Sequence, residues 1–125
     1  MFEKAKNTNI QGNIGMGMCI AYLTRMGYIV SVPITDTQPY DLVFDSNGIL
    51  FKVQVKTSGR LAHSGNYMVK INTTSYNYSK KFNSLSSDFL YVLCANGDQY
   101  LIPTGNIIEK TGITLDSRFI KFLIK

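Results

Sequence analysis

Pro39-Tyr40-Asp41-Leu42-Val43-Phe44-Asp45-Ser46-Asn47-Gly48-Ile49-Leu50-Phe51-Lys52-Val53-Gln54-Val55-Lys56-Thr57 is the stretch on which the fold turns. Side chains alternate on either side of Ser46-Asn47-Gly48. A period of two marks strands, and Asn-Gly between two such runs is a strong hairpin signal. On the first strand Tyr40, Leu42 and Phe44 share one face, with Asp41, Val43 and Asp45 on the other. On the second, Ile49, Phe51, Val53 and Val55 point one way; Leu50, Lys52, Gln54 and Lys56 point the other. Gln54 and Lys56 therefore lie on one side of the sheet, with Asp41 near the start of the neighbouring strand. A carboxylate, an amide oxygen and an ammonium can converge there, with the Val55 carbonyl between the last two. A hard cation such as Mg²⁺ takes oxygen donors of this kind, which makes Asp41, Gln54 and Val55 candidate metal ligands. Lys56 is placed to orient or deprotonate a water, or to offset negative charge in a transition state. The same spacing is also compatible with an ordinary hairpin whose polar face meets solvent.

Working outward, Ile10, Ile14, Met18, Tyr22 and Met26 recur every fourth residue with Leu23 beside them, which predicts a helix over 9–26. Asn7 or Asn9 suits its N-cap and Gly27 its C′ position. Gly12, Gly15 and Gly17 are poor helix residues and point to close backbone approach or a late helix start. Strands are expected at 28–33, 67–72, 88–95 and 99–102. Residues 73–87, rich in Ser, Thr, Asn and Tyr, read as irregular. A short helix is expected from Thr104 to Lys110, and 114–125 fits helix or strand. The order describes a mixed sheet opened by a helix, in one domain over 1–125.

The chain has 125 residues, ordinary hydrophobic content at 45%, and enough length for a core without disulfide staples. No apolar run is long enough to span a membrane, and the N-terminus lacks a secretory h-region, so a cytoplasmic location is expected. Cys19 and Cys94 both lie in apolar stretches and read as buried hydrophobes. A single histidine excludes a Cys/His metal cluster.

The net charge of +5 is uneven. Residues 46–87 carry Lys52, Lys56, Arg60, Lys70, Lys80 and Lys81 and no acid, while the rest of the chain carries one more acid than base. Clustered bases suit a polyanion, since neutralising phosphates releases counterions. Lys52, Arg60, His63, Lys70, Lys80 and Lys81 are the candidate nucleic-acid contacts. Tyr76 and Tyr78 could stack on bases or pack a partner chain.

Pro39 to Val43, a hairpin, and Val53-Gln54-Val55-Lys56-Thr57 resemble the motif of the PD-(D/E)XK nuclease superfamily. The chain is most similar to its branch of small intron-encoded homing endonucleases and archaeal Holliday-junction resolvases. Gln11-Gly12-Asn13-Ile14-Gly15 resembles that branch's leading helix, and 88–92 with 100–103 its final hairpin. The resemblance implies an α/β, restriction-endonuclease-like fold: a mixed β-sheet with an N-terminal helix and a C-terminal helical segment. It implies a metal-dependent DNA endonuclease using Mg²⁺ or Mn²⁺, with Asp41 as main ligand, Gln54 at the Asp/Glu position and Lys56 as the motif lysine. Linear or branched DNA and a homo-oligomer, dimer or tetramer, are the implied partners. Where relatives carry a glutamate in the helix, this chain has Met16. One carboxylate then remains, and a cation held by one negative ligand is weakly attracted. A nuclease fold that binds DNA with weak or no cleavage is the alternative.

Overall fold

The computed structural model describes residues 1–75, 78–80 and 82–125, with backbone alone for 73–75 and 78–80. Helix α1 (Thr8–Arg25) is followed by β1 (Ile29–Ser31), β2 (Leu42–Ser46), β3 (Ile49–Ser58), β4 (Arg60–Leu61), β5 (Tyr67–Lys70), β6 (Thr73–Ser75) and β7 (Tyr78–Lys80). After these come β8 (Phe89–Cys94), β9 (Gln99–Pro103) and β10 (Gly112–Thr114). The main sheet runs β1-β2-β3-β8-β9, antiparallel except for the β3–β8 pair. A small sheet, β10-β5-β4, lies apart from it in pairing, and β6 pairs with β7. The mixed α/β, restriction-endonuclease-like architecture expected from the sequence is present.

The hairpin forms as its pattern dictates. Leu42 pairs with Val53 and Ser46 with Ile49, and Asp45 closes the turn by accepting the Gly48 N–H at 2.7 Å. Asn47 and Gly48 both take positive φ, the conformation Asn-Gly adopts cheaply. On one side of the sheet α1 packs Cys19 and Leu23 against Leu42, Phe44, Val53, Tyr91 and Leu93. Tyr28, Phe44, Phe51 and Phe89 extend this layer as a chain of tilted rings. On the other side Leu90, Val92 and Cys94 meet Val69 of β5 and Ile71 just after it, with Ile113, Leu115 and Phe119 closing the layer. Strand β8 is apolar throughout because it is covered on both faces.

Helix α1 begins where expected: the Asn7 side chain accepts the Ile10 N–H at 3.0 Å, and Gly27 adopts φ +88° beyond the last turn. Its buried stripe differs from the one the hydropathy pattern suggests. Gly15, Cys19 and Leu23 face the sheet, whereas Ile10 and Met26, the ends of the four-residue series, are exposed. Glycine carries no hydropathy signal, yet Gly15 is the point of closest approach. A Cβ there would lie 2.6 Å from Thr57 Cγ2.

The predicted helix from Thr104 to Lys110 is only a 3₁₀ turn, Thr104–Asn106. The Thr104 hydroxyl instead donates to the Ser87 carbonyl at 2.6 Å and ties down the preceding loop. The C-terminal helical segment is a 3₁₀ run, Ser117–Phe122. The chain after it joins the sheet edge, with Ile124 N–H on the Gln99 carbonyl at 2.8 Å. Part of the stretch read as irregular forms β6 and β7. Among the described residues no helix is long and apolar enough to cross a membrane.

Candidate functional site

Strand β2 stops pairing one residue before the end of its polarity pattern, and the site forms there. In a strand, successive residues aim their backbone groups at opposite neighbours. On β3 the odd-numbered residues face β2: the Val53 carbonyl accepts the Asp41 N–H at 2.9 Å. The even ones face β8: the Lys52 carbonyl accepts Asp88 N–H at 2.9 Å and the Ser58 carbonyl accepts Ala95 N–H at 2.8 Å. Val55 would bond to β2 next, but β2 has ended. The Asp41 side chain takes the place of a strand, its Oδ2 accepting the Val55 N–H at 2.7 Å. By the same alternation the Val55 carbonyl points into the gap beside Asp41.

That gap is a cleft of about 460 Å³ lined by Thr8, Asn9, Gly12, Asn13, Met16, Asp41 and Val55. The first turns of α1 form one wall and the free edge of β3 the other. Gln11 clamps helix to strand by donating its amide to Thr57 Oγ1 at 2.8 Å. The sequence pattern alone assigned no role to Thr8 and marked Asn9 only as a possible helix cap. Gly12 and Asn13 were marked only by their place in the helix motif.

Asp41 is open to solvent on its outer side, and its partial desolvation in the cleft raises the carboxyl above its ordinary range, against the opposing pull of the Val55 N–H and the Lys56 charge. Burial lowers the Lys56 ammonium; Asp41 opposes that shift and Lys70 reinforces it. Lys56 thus lies within electrostatic reach of both Asp41 and Lys70. Met16 stands in the cleft as an apolar wall beside Asp41.

Gln54 does not lie on a solvated face. It is 8% exposed, because the face it shares with Lys56 and Ser58 is roofed by the small sheet. Ser58, also buried, donates its hydroxyl to the Met68 carbonyl of β5. The Gln54 amide makes no hydrogen bond to the described side chains. The donor set of Asp41 carboxylate, Gln54 amide oxygen and Val55 carbonyl fits a hard cation in kind. It is poor in charge, and no group of three His, Cys, Asp or Glu able to hold a metal occurs among the described residues. Asp45 is committed to the hairpin turn.

The basic candidates divide. Arg60, His63 and Lys70 lie on or beside the small sheet and are exposed. Lys52 is exposed on the hairpin, its Nζ 5.5 Å from the Tyr40 ring centroid. Lys81 and Tyr76 lie outside the described residues, as do the side chains of Lys80 and Tyr78. Cys19 and Cys94 are buried and unpaired, as expected, and burial pushes both thiols up to about 12.

A family model described as PD-(D/E)XK endonuclease matches residues 6–118. Among solved structures, a bacterial homing endonuclease, I-Ssp6803I, superposes with a TM-score of 0.77 at 31% identity, over 89% of this chain and 79% of that one. MepB aligns over 78% of each chain at 11% identity, with a TM-score of 0.43. No curated protein matches by sequence.

Proposed function

The chain belongs to the PD-(D/E)XK endonuclease family, and from that premise we propose that it is a metal-dependent DNA endonuclease with its centre at Asp41, Gln54, Val55 and Lys56. The observation that carries this reading is the Asp41 carboxylate, held on the Val55 N–H at 2.7 Å where β3 outruns β2. There a carboxylate and an aimed carbonyl border one cleft, and Lys56 is the next residue along β3. Asp41, Gln54 and the Val55 carbonyl would hold Mg²⁺ or Mn²⁺, which supplies Lewis-acid polarisation of the phosphate and a more acidic water. Lys56, its ammonium destabilised by burial and by Lys70, is suited to take the proton of the attacking water at Nζ. Water adds to phosphorus, the bridging P–O bond breaks, and the leaving oxygen departs as an alkoxide that takes a proton from solvent to become the alcohol. Lys52, Arg60, His63 and Lys70, with Lys80 and Lys81, supply contacts to the nucleic acid. A 14.0 kDa chain covers little DNA, so a homo-oligomer, dimer or tetramer, forms part of the reading.

The test is nicking of plasmid and of a four-way junction with Mg²⁺ or Mn²⁺, using wild type, Asp41→Ala and Lys56→Ala. Metal-dependent cutting lost in both variants is expected. Cutting retained by Asp41→Ala would overturn the assignment. A second reading, DNA binding without cleavage, draws on Met16 occupying the cleft beside the lone carboxylate; tight binding with no nicking under any metal would favour it.

A further inference from the structure

The small sheet presents an outward face that the cleavage centre does not use. Arg60 pairs with Met68 and Met68 with Thr114 across its three strands, and Lys70 pairs with Gly112. Directly opposed residues share a face, so Arg60, Met68, Thr114, Lys70 and Gly112 lie on one side. Val69 and Ile113 point the other way, into the core. The outward side borders a groove of about 560 Å³ that runs from Thr57 to Arg60, across Met68 and Lys70, to Thr111–Thr114. A second hollow, about 450 Å³, lies between Arg60, Leu61, Ala62, His63 and Met68. Arg60 and Met68 border both.

We propose that this face reads DNA sequence beside the cleavage centre, with Arg60 as the base-reading residue and Lys70 as a phosphate-holding residue. The inference rests on the nuclease reading and adds what sets its specificity. Four observations support it. First, the charge is complementary and free. The groove lining holds two cations and no acid, and the ion pairs of the described residues, Met1 with Glu3 and Arg118 with Glu109, lie elsewhere. Second, Leu61 at 54% and Met68 at 39% exposure flank Arg60. Apolar atoms beside a free guanidinium suit the major groove, where thymine methyls lie near guanine acceptors. Third, the scaffold is rigid and narrow. The loop after β4 is closed by Ala62 N–H on the Asn66 carbonyl at 2.8 Å and Gly65 N–H on the Ala62 carbonyl at 3.0 Å. The β4–β5 hairpin within the sheet is a two-stranded ribbon, an element that a major groove roughly 12 Å wide admits. Fourth, the face abuts the chemistry, since Thr57 and Ser58, the residues that follow Lys56 on β3, line the groove.

The two cations divide by geometry. Arginine's planar fork matches guanine O6 and N7 as a pair, which a lysine point charge does not. Lys70, a point charge on the same face, is placed for the backbone phosphate, a contact that positions without specifying.

The experiment selects cleaved molecules from a randomised duplex library, with wild type, Arg60→Ala, Arg60→Lys and Lys70→Ala, each checked by thermal melting. Wild type is expected to show a base preference. Arg60→Ala and Arg60→Lys lose discrimination at one position by about tenfold or more, while Lys70→Ala keeps the preference. In filter binding to a fixed duplex, Lys70→Ala weakens affinity at all sequences and lowers the salt slope by about one. An unchanged preference in Arg60→Ala, or a wild type that cuts without preference, overturns the inference and leaves the nuclease standing. A wild type that neither binds nor cuts overturns the nuclease reading itself.

Discussion

Replacing Gly15 by alanine should destabilise the protein, although alanine is the better helix residue. The added methyl gains about 1 kcal/mol of helix propensity. It also arrives 2.6 Å from Thr57 Cγ2 and 3.5 Å from Val55 Cγ1. Thr57 cannot simply turn away. Its χ1 is stiff, as for any β-branched residue, and its Oγ1 holds the Gln11 amide at 2.8 Å. Helix α1 cannot simply lift, because Cys19 and Leu23 are fully buried one and two turns on. Overpacking of this kind costs roughly 1–3 kcal/mol, and loss of the Gln11 bond about 0.5–1.5 more. The net is a loss of roughly 0.5–3.5 kcal/mol, or a fall in Tm of about 2–8 °C for each kcal/mol. Gly17, two residues away on the same helix, has nothing within 4 Å of an added Cβ. Gly17→Ala should therefore stabilise by up to about 1 kcal/mol. The assay is thermal and urea unfolding of both variants beside wild type. Opposite signs are expected, and cleavage should fall in Gly15→Ala alone, since Val55 and Thr57 form the strand edge against the cleft. Gly15→Ala equal to or more stable than wild type would refute the close-approach argument.

Asp41 should lower the stability of the fold it serves. Its carboxyl titrates above the ordinary value of 3.8 in the folded chain, so the unfolded chain ionises first and stability declines as pH rises past 3.8. Asp41→Asn should then raise Tm at neutral pH, the gain shrinking in acid; a lower Tm at neutral pH would contradict the burial argument. Met16→Glu places a second carboxylate in the cleft beside Asp41 and should lower the Mg²⁺ concentration for half-maximal nicking by about tenfold or more; an unchanged metal dependence would remove Met16 from the site. The two thiols, with ordinary values of 9.0 and folded values of about 12, resist alkylation in the native state. Above pH 9 they cost up to about 1.4 kcal/mol each per pH unit, and fast labelling of folded protein would overturn their buried placement.

The hairpin and α1 were legible because both rest on local periodicity. The β2–β3 turn needs only Asn47-Gly48, and Asn7 and Gly27 mark the helix ends. The burial of Gln54 was not legible: a strand at 67–72 was expected, but nothing in its pattern said that it would lie over the polar face of β3. The helix stripe was misjudged for a different reason: hydropathy counts methyl groups, and the closest contact is made by Gly15, which has none. Thr104 looked like a helix cap because its side chain seeks backbone partners; those partners turned out to be the carbonyls of Ser87 and its neighbours. The tail after Thr114 mixes both periods because it forms neither element at length. Of the site itself, the pairing of Asp41 with the strand carrying Gln54 and Lys56 could be read directly. The use of the carboxylate as a substitute strand could not, since nothing in the pattern says where β2 stops.

That stopping point is the physical origin of the site. Had β2 continued, the Val55 N–H and carbonyl would have entered the ladder, and no donor or acceptor would face outward. Pro39, two residues before Asp41, lacks an N–H and cannot extend a ladder, so pairing fails there and β3 runs on alone. An unpaired strand edge within a protein demands partners. Asp41 satisfies the Val55 N–H and leaves the carbonyl unmet. The acceptor so exposed, beside a carboxylate kept partly desolvated by α1, is a group that a cation can satisfy and a neighbouring strand would have consumed.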